Sequence, residues 1–311
     1  MKAKLTIISM FIAVLGFSGA VQAGHKHGHK ANKVHGHDAL MVSIGASTSF
    51  GYTFDSSLLG LPFGYYLAEN HHLPLFAEYL KSYFGVQDVI NYNFSYPGKT
   101  SDEVLAEQVP QLLEVIPRNT LHKVVFTVEG GGNDLRHFQV ANADICSSAD
   151  PMDQYMCVVN LNETLDQVED NLWHIITTLQ DAVPEAIIIV QTQYNSLYDI
   201  LPNGADCVDE TMLGVADLAL EGNPAYGHPV AGLNTRIREL AADLGVAVGD
   251  ISGYLYTAPG NLYQNPDFFG GDCTHLSGVW DGLTQYGIPG DDTGLGYQAI
   301  LGSFIAALPP Q

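Results

Sequence analysis

The sequence predicts an α/β protein, a three-layer α/β/α sandwich built on a sheet of about five parallel strands. Most of five short apolar runs are continuous rather than alternating, which is typical of strands buried on both faces. Segments with apolar residues at helical spacing separate these runs, and this alternation favours a parallel sheet covered by helices. The chain has 311 residues, of which 46% are hydrophobic, so one domain with a large core is expected over residues 39–311.

The predicted strands and helices alternate along the chain. The strands are expected at Leu40–Ile44, Val86–Phe94, Lys123–Val128, Ala186–Thr192 and Val246–Asp250. The helices are expected at Leu73–Phe84, Ser101–Val115, Leu161–Ala182, Val230–Leu244 and Gly296–Leu308. The second helix begins with a serine and two acids, which suit a helix start, and Pro184 follows the end of the third. Three segments are expected to be loop insertions, at residues 140–154, 195–229 and 276–293.

Residues 1–23 have the features of a secretory signal peptide. Lys2 and Lys4 precede an apolar run, Leu5–Phe17, that is too short to span a bilayer comfortably, and Val21-Gln22-Ala23 fits a cleavage site. The alternative is an uncleaved membrane anchor. No later segment has the roughly 18 uncharged apolar residues that a transmembrane helix needs. We therefore expect export to the periplasm or the extracellular space.

Residues 24–38 form a histidine-rich tail that lacks apolar periodicity and is predicted to be disordered. Neutral imidazoles at this density can bind zinc, copper or nickel. A weak metal site is therefore a hypothesis for five histidines: His25, His27, His29, His35 and His37. A plain linker and an expression tag are the alternatives, although the histidines are not contiguous.

The charge and the cysteines restrict the possible partners further. A net charge of −22 disfavours binding to nucleic acid or to an anionic membrane through general electrostatics. Four cysteines in an exported protein suggest two disulfides, with three possible pairings. We favour Cys146–Cys157, which are close in sequence, together with Cys207–Cys273.

Ser47 is the candidate nucleophile. An apolar run ends at Gly45, and Ser47 follows two residues later in the sequence Gly45-Ala46-Ser47. A buried strand that ends in this way places the serine at the carboxyl edge of a sheet, where ligands bind in open α/β folds. An ordinary strand-to-loop turn would have the same local sequence, so the assignment depends on other parts of the chain.

Three further segments carry residues suited to chemistry. Gly98 lies in a turn after the second strand, where it can point a backbone N–H outward. Glu129-Gly-Gly-Gly-Asn133-Asp follows the third strand, and Asn133 can offer a side-chain N–H to a developing negative charge. Near the end, Asp272 precedes His275 by three residues, the spacing of a carboxylate that orients a general base. The same spacing occurs at Asp134 and His137, so it is weak evidence alone.

In their order, these four blocks resemble the SGNH hydrolase superfamily, also called GDSL esterases and lipases. The resemblance spans about residues 39–308 and implies a flavodoxin-like α/β/α fold. It implies that Ser47, His275 and Asp272 form a catalytic triad. It also implies an oxyanion hole formed by the N–H groups of Ser47 and Gly98 and by the side chain of Asn133. His137 is then set aside, because it lies in the block of Asn133.

The sequence departs from the family pattern at Ala46, where the family usually has aspartate, and in the apparent insertion at residues 276–293. A classical α/β-hydrolase is disfavoured, because the chain lacks Gly-x-Ser-x-Gly. We expect an exported serine esterase or lipase that needs no cofactor and acts on small-molecule or lipid esters through an acyl-enzyme. The alternatives are a carbohydrate O-acetyl esterase and a non-catalytic binding or metal-scavenging protein.

Overall fold

The structure, a computed structural model, describes residues 38–54, 65–67, 71–116, 123–195, 210–223, 230–253 and 296–310. The strands are β1 (Ala39–Ile44), β2 (Tyr52–Phe54), β3 (Tyr65–Leu67), β4 (Val89–Asn93), β5 (Val124–Val128), β6 (Ile187–Gln191), β7 (Gly222–Asn223), β8 (Val230–Ala231) and β9 (Ala247–Gly249). The helices are α1 (Ser47–Phe50), α2 (His72–Phe84), α3 (Ser101–Glu103), α4 (Val109–Val115), α5 (Gly132–Cys146), α6 (Pro151–Ala182), α7 (Glu210–Glu221), α8 (Leu233–Leu244) and α9 (Gly296–Ala307), with a π-helical segment, Val104–Gln108, between α3 and α4.

A five-stranded parallel sheet in the order β4-β1-β5-β6-β9 forms the middle of the domain. All six residues of β1 are buried, as a continuous apolar strand with neighbours on both sides requires. Its one polar side chain, Ser43, accepts a hydrogen bond from Thr127 Oγ1 at 2.7 Å. Since β1 pairs with both β4 and β5, the carboxyl ends of these three strands meet at one edge of the sheet.

Hydrophobic cores lie on both faces of the sheet. Alternate residues of β1 point to opposite faces, so Leu40 and Val42 belong to one core and Ala39 and Met41 to the other. The first core contains the apolar faces of α6 and α8, and the second contains those of α2 and α9. The predicted α/β/α architecture with about five parallel strands is therefore confirmed.

Several predicted boundaries shift because local turns end the elements. The predicted strand at Val86–Phe94 begins only at Val89. The reason is that Gly85 ends α2 in the left-handed conformation and the Val86 N–H still bonds to the helix at Lys81 O. The predicted helix at Val230–Leu244 begins at Leu233, because Val230 and Ala231 pair with β7 instead.

The segment 140–154, which we expected to be a loop insertion, is helical except for residues 147–150. Helix α5 continues to Cys146, and α6 begins at Pro151, ten residues before its predicted start. The Asp150 carboxylate caps α6 by accepting the Met152 N–H at 2.7 Å. Cys146 and Cys157 form the predicted disulfide across this connection, with 5.1 Å between their Cα atoms. The segment is therefore the tip of a helical hairpin.

The other terminal and inserted segments are described only in part. Residues 210–221, within the second expected insertion, form α7, whereas 196–209, 224–229 and 276–293 lie outside the described residues. The predicted signal peptide, the five tail histidines and the Cys207–Cys273 pair also lie outside them. Within the described part of the chain, no helix has both the length and the apolar character needed to cross a membrane.

Candidate active site

The candidate nucleophile and both other candidate oxyanion-hole residues follow three neighbouring strands. Ser47 is the first residue of α1, which begins three residues after β1. Gly98 lies five residues beyond β4, and Asn133 is the second residue of α5, just after β5. Because β4, β1 and β5 are adjacent and parallel, all three residues lie at the same edge of the sheet.

The segment Gly45–Ser49, here called the nucleophile turn, has a backbone that its sequence explains. Gly45 has φ of +152°, and a Cβ atom there would lie 2.6 Å from Glu129 Cβ, so only glycine fits. Helix α1 is a single turn that ends at Gly51 in the left-handed conformation. The Gly51 N–H donates to the carbonyl oxygens of Ser47 and Thr48, each at 3.1 Å. The chain thus turns sharply on both sides of Ser47.

Two buried side chains bind the backbone of the nucleophile turn. Gln108 makes a pair of hydrogen bonds with Gly45, accepting its N–H at 2.7 Å and donating to its carbonyl oxygen at 2.9 Å. The Glu129 Oε2 atom accepts the Ala46 N–H at 3.2 Å and the Ser49 N–H at 2.7 Å. Gln108 ends the π-helical segment, a feature that is frequent near functional sites.

The carbonyl oxygen of Ser49 is held from the other side. It accepts hydrogen bonds from Asn93 Nδ2 at 2.8 Å and from His71 Nε2 at 3.0 Å. Since a carbonyl oxygen only accepts, Nε2 of His71 carries the proton. Burial lowers the pKa of His71 to about 4, against the opposing effect of its hydrogen bond to Ser49. His71 is therefore a neutral donor near pH 7.

The loop of Gly98 and the start of α5 are joined by side-chain hydrogen bonds. Asn133 Nδ2 donates to Lys99 O at 3.0 Å, and no described residue accepts the second N–H of this amide, which could donate to a ligand. The Asp134 carboxylate accepts the Ser101 N–H at 2.9 Å and the Ser101 hydroxyl at 2.8 Å. Gly98 itself has φ of +82°, which glycine adopts without strain.

This loop is also anchored to the nucleophile turn and to α6. The Tyr96 N–H donates to Gly45 O at 3.1 Å, so the loop after β4 touches the start of the turn. Asn171 Nδ2 in α6 donates to Ser101 Oγ at 3.0 Å. The segments that carry Ser47, Gly98 and Asn133 therefore form one hydrogen-bonded unit at the sheet edge.

The predicted base and its orienting carboxylate, His275 and Asp272, lie outside the described residues. His137, set aside in the sequence analysis, is an exposed residue of α5. Among the residues that the structure describes, no group of three or more histidine, cysteine or acidic side chains could hold a metal ion. The described half of the candidate site is thus the nucleophile with its candidate oxyanion donors.

Sequence reasoning missed the side chains that support this half. The sequence gives one indication of this role, for Glu129: it is an acidic residue between a buried strand and a glycine-rich turn. Gln108, His71 and Asn93 carry no motif, because each acts on the backbone of a segment that is distant in sequence.

Comparison with known proteins gives a family and a fold. The model of the GDSL-like lipase/acylhydrolase family matches residues 13–279. The chain resembles the structure of a lipase from a goat rumen metagenome, at 16% identity and a TM-score of 0.55, over 86% of this chain and 97% of that one. A Geobacillus acetyl-xylooligosaccharide esterase matches at 14% identity and a TM-score of 0.52, over 88% and 95%. No curated protein sequence matches significantly.

Proposed function

This chain belongs to the GDSL-like lipase/acylhydrolase family, and we propose that it is a serine ester hydrolase whose nucleophile is Ser47. His275 would be the general base, and Asp272 would hold its ring. The observation that carries the proposal is the meeting of Ser47, Gly98 and Asn133 at the ends of three adjacent strands. The loop of Gly98 is hydrogen-bonded to the nucleophile turn, and the Asn133 side chain is hydrogen-bonded to that loop. The candidate donors are therefore held in place before substrate binds.

The reaction would proceed through an acyl-enzyme. Ser47 Oγ attacks the ester carbonyl while His275 takes its proton, and His275 later protonates the leaving alcohol. Negative charge develops on the carbonyl oxygen, where the N–H groups of Ser47 and Gly98 and the Asn133 amide would stabilise it. Losing one such donor typically costs about 100- to 1000-fold in rate. Water then releases the acid by the same steps, without a metal or an organic cofactor.

Simple carboxylic or lipid esters are the first substrate choice. Phe50 in α1 and Tyr96 in the Gly98 loop contact each other edge to face, with 6.1 Å between ring centres. The Tyr96 ring is accessible, since the residue is 57% exposed. Phe50 and Tyr96 thus form an apolar surface, and Phe50 follows Ser47 by three residues in the sequence. The acyl chain of a bound ester would cover this surface.

Carbohydrate O-acetyl esters are the second choice, and a polar groove favours them. The groove has a volume of about 500 Å³ and starts one residue after Asn133; its lining residues are Asp134, Asn142, Asn160, Glu163, Thr164 and Gln167. These carboxylates, amides and the hydroxyl suit hydrogen bonds to sugar hydroxyl groups.

The test is hydrolysis of p-nitrophenyl esters from acetate to palmitate, with acetylated xylan in parallel. Ser47→Ala should lower turnover by about 1000-fold or more, because it removes the attacking atom. Ser82→Ala is the matched control, since the hydroxyl of this helical serine donates to Tyr79 O in its own helix and has no other partner among the described residues. Equal turnover by wild type and Ser47→Ala would exclude this nucleophile. A wild type that is inert on both substrate classes would favour a non-catalytic binding protein.

Deleting residues 24–38 tests the remaining alternative. The esterase should keep its turnover without the tail, whereas a metal-scavenging protein would lose its zinc binding, measured by calorimetry. Loss of turnover on deletion would contradict the assignment of the activity to residues 39–311.

A further inference from the structure

We infer that Glu129 is a positioning residue, whose buried carboxylate fixes the backbone that presents Ser47 and its N–H. This inference rests on the proposed function. The carboxylate touches no reacting atom in the mechanism above, and it acts only through the nucleophile turn.

The two N–H groups that donate to Glu129 lie on either side of Ser47 in the sequence. Its Oε2 atom accepts the N–H of Ala46, the preceding residue, and the N–H of Ser49, two residues later. The first N–H groups of a helix have no partner within the helix, and in a helix of one turn they are a large share of the backbone. One carboxylate oxygen that accepts two of them fixes the orientation of the peptide planes on both sides of the serine.

Glu129 is itself held tightly at the end of the central strand. Its side chain is buried, with 4% of the residue exposed, and its own N–H donates to Ile44 O at 3.1 Å. Its Cβ and Oε2 lie within 3.0 Å of the place that a Cβ at Gly45 would take. The carboxylate therefore has little freedom relative to β1, and it transmits this rigidity to the turn.

The turn needs an acceptor from outside its own sequence. Ala46 stands at the N-cap position of α1 and has no side-chain oxygen, so the cap residue cannot accept the first N–H groups of the helix. Among the residues described, no cationic side chain forms an ion pair with Glu129. The Oε2 atom is thus bonded to two backbone N–H groups, and removing the carboxylate leaves both of them buried without this acceptor.

Three substitutions separate the acceptor from other roles of this side chain. Glu129→Gln keeps one oxygen at the same reach, so it should retain kcat within about 10-fold. Glu129→Leu has a similar shape and no acceptor. Glu129→Asp keeps the charge but withdraws it by one methylene. Since misplacement by about 1 Å can cost about 100-fold, the Leu and Asp variants should each lose about 100-fold in kcat, with KM within about 3-fold of wild type.

A second readout does not depend on ester turnover. Amide hydrogen exchange, followed by NMR, reports directly on the N–H groups of Ala46 and Ser49. Exchange at both should be about 10-fold faster in Glu129→Leu and Glu129→Asp and close to wild type in Glu129→Gln. If the wild type hydrolyses no ester, the proposed function fails, while these exchange rates still decide the positioning role.

Lys123→Met supplies the control for general destabilisation. Lys123 precedes β5 at the opposite edge of the sheet, where its Nζ donates to Phe84 O at 2.7 Å. This variant should lower the melting temperature with kcat unchanged. The positioning role would be overturned if Glu129→Leu and Glu129→Asp kept kcat within about 3-fold and wild-type exchange. It would also be overturned if Glu129→Gln were as impaired as they are.

Discussion

Mild acid should destabilise the folded protein through His71. Burial lowers the pKa of this histidine from 6.5 to about 4, so the unfolded chain binds the proton more tightly than the folded one. The free energy of unfolding therefore falls as the pH drops below 6.5, and the loss is complete below about pH 4. At 1.36 kcal/mol per pKa unit, the full loss is about 3 kcal/mol, of which about 2 kcal/mol is reached at pH 5.

The neighbouring His72 acts in the same direction. It is fully buried, and burial first and the nearby His71 second lower its pKa well below the usual value. Its ring stacks on Tyr297 with centres 5.6 Å apart, and neither of its nitrogens has a hydrogen-bond partner among the described residues. A protonated ring would thus lose its hydration without gaining an acceptor among the described residues, so burial opposes the charged form.

The assay is urea unfolding at pH 7.5 and pH 5.0 for wild type and His71→Gln. Glutamine does not titrate, and its amide N–H can donate to Ser49 O as the imidazole does. The variant should lose about 2 kcal/mol less stability than wild type between the two pH values. His174→Gln is the control, because this histidine is exposed on α6. This variant should lose as much stability between the two pH values as the wild type does. An equal loss in wild type and His71→Gln would refute the reasoning.

Two further predictions concern the backbone and the disulfide. Gly45→Ala should destabilise the fold by about 2 kcal/mol or more, because of the 2.6 Å contact with Glu129 Cβ. In thermal unfolding, Gly85→Ala should cost less, since nothing lies within 4 Å of its Cβ position; equal costs would contradict the steric argument. Replacing Cys146 and Cys157, 11 residues apart, by serine should cost about 3 kcal/mol, measured by urea unfolding. Turnover at 25 °C should not change, and unaltered stability would contradict this estimate.

The fold could be predicted because its signals are local. Most strands of the main sheet are continuous apolar runs, and β1 is buried at all six positions. The helical hairpin tip was missed because it extends beyond the core. Val140 is 63% exposed and Met152 is 67% exposed, so this part of the hairpin lacks the periodicity of a packed helix. The π-helical segment was missed because a π-turn has no distinct composition.

The candidate site could be predicted only where its residues lie in glycine-containing turns that follow strands. Ser47, Gly98 and Asn133 stand in such turns, and the parallel sheet brings those turns to one edge. Glu129, Gln108 and His71 bind backbone groups 22 to 83 residues away in sequence, a relation that a single sequence does not encode. The catalytic roles of all five candidate site residues stay predictions: Ser47, Gly98, Asn133, Asp272 and His275. The signal peptide, the tail and the second disulfide stay predictions as well.

The disulfide across the helical hairpin would let the protein survive being cut into two chains. Residues 147–150 connect the helices between Cys146 and Cys157, so a protease that cleaves there would leave the pieces covalently joined. The first piece would carry Ser47, Gly98 and Asn133, and the second would carry Asp272 and His275. An electrophoresis gel would separate the pieces only after reduction, and the cut molecule would still hold every proposed catalytic group.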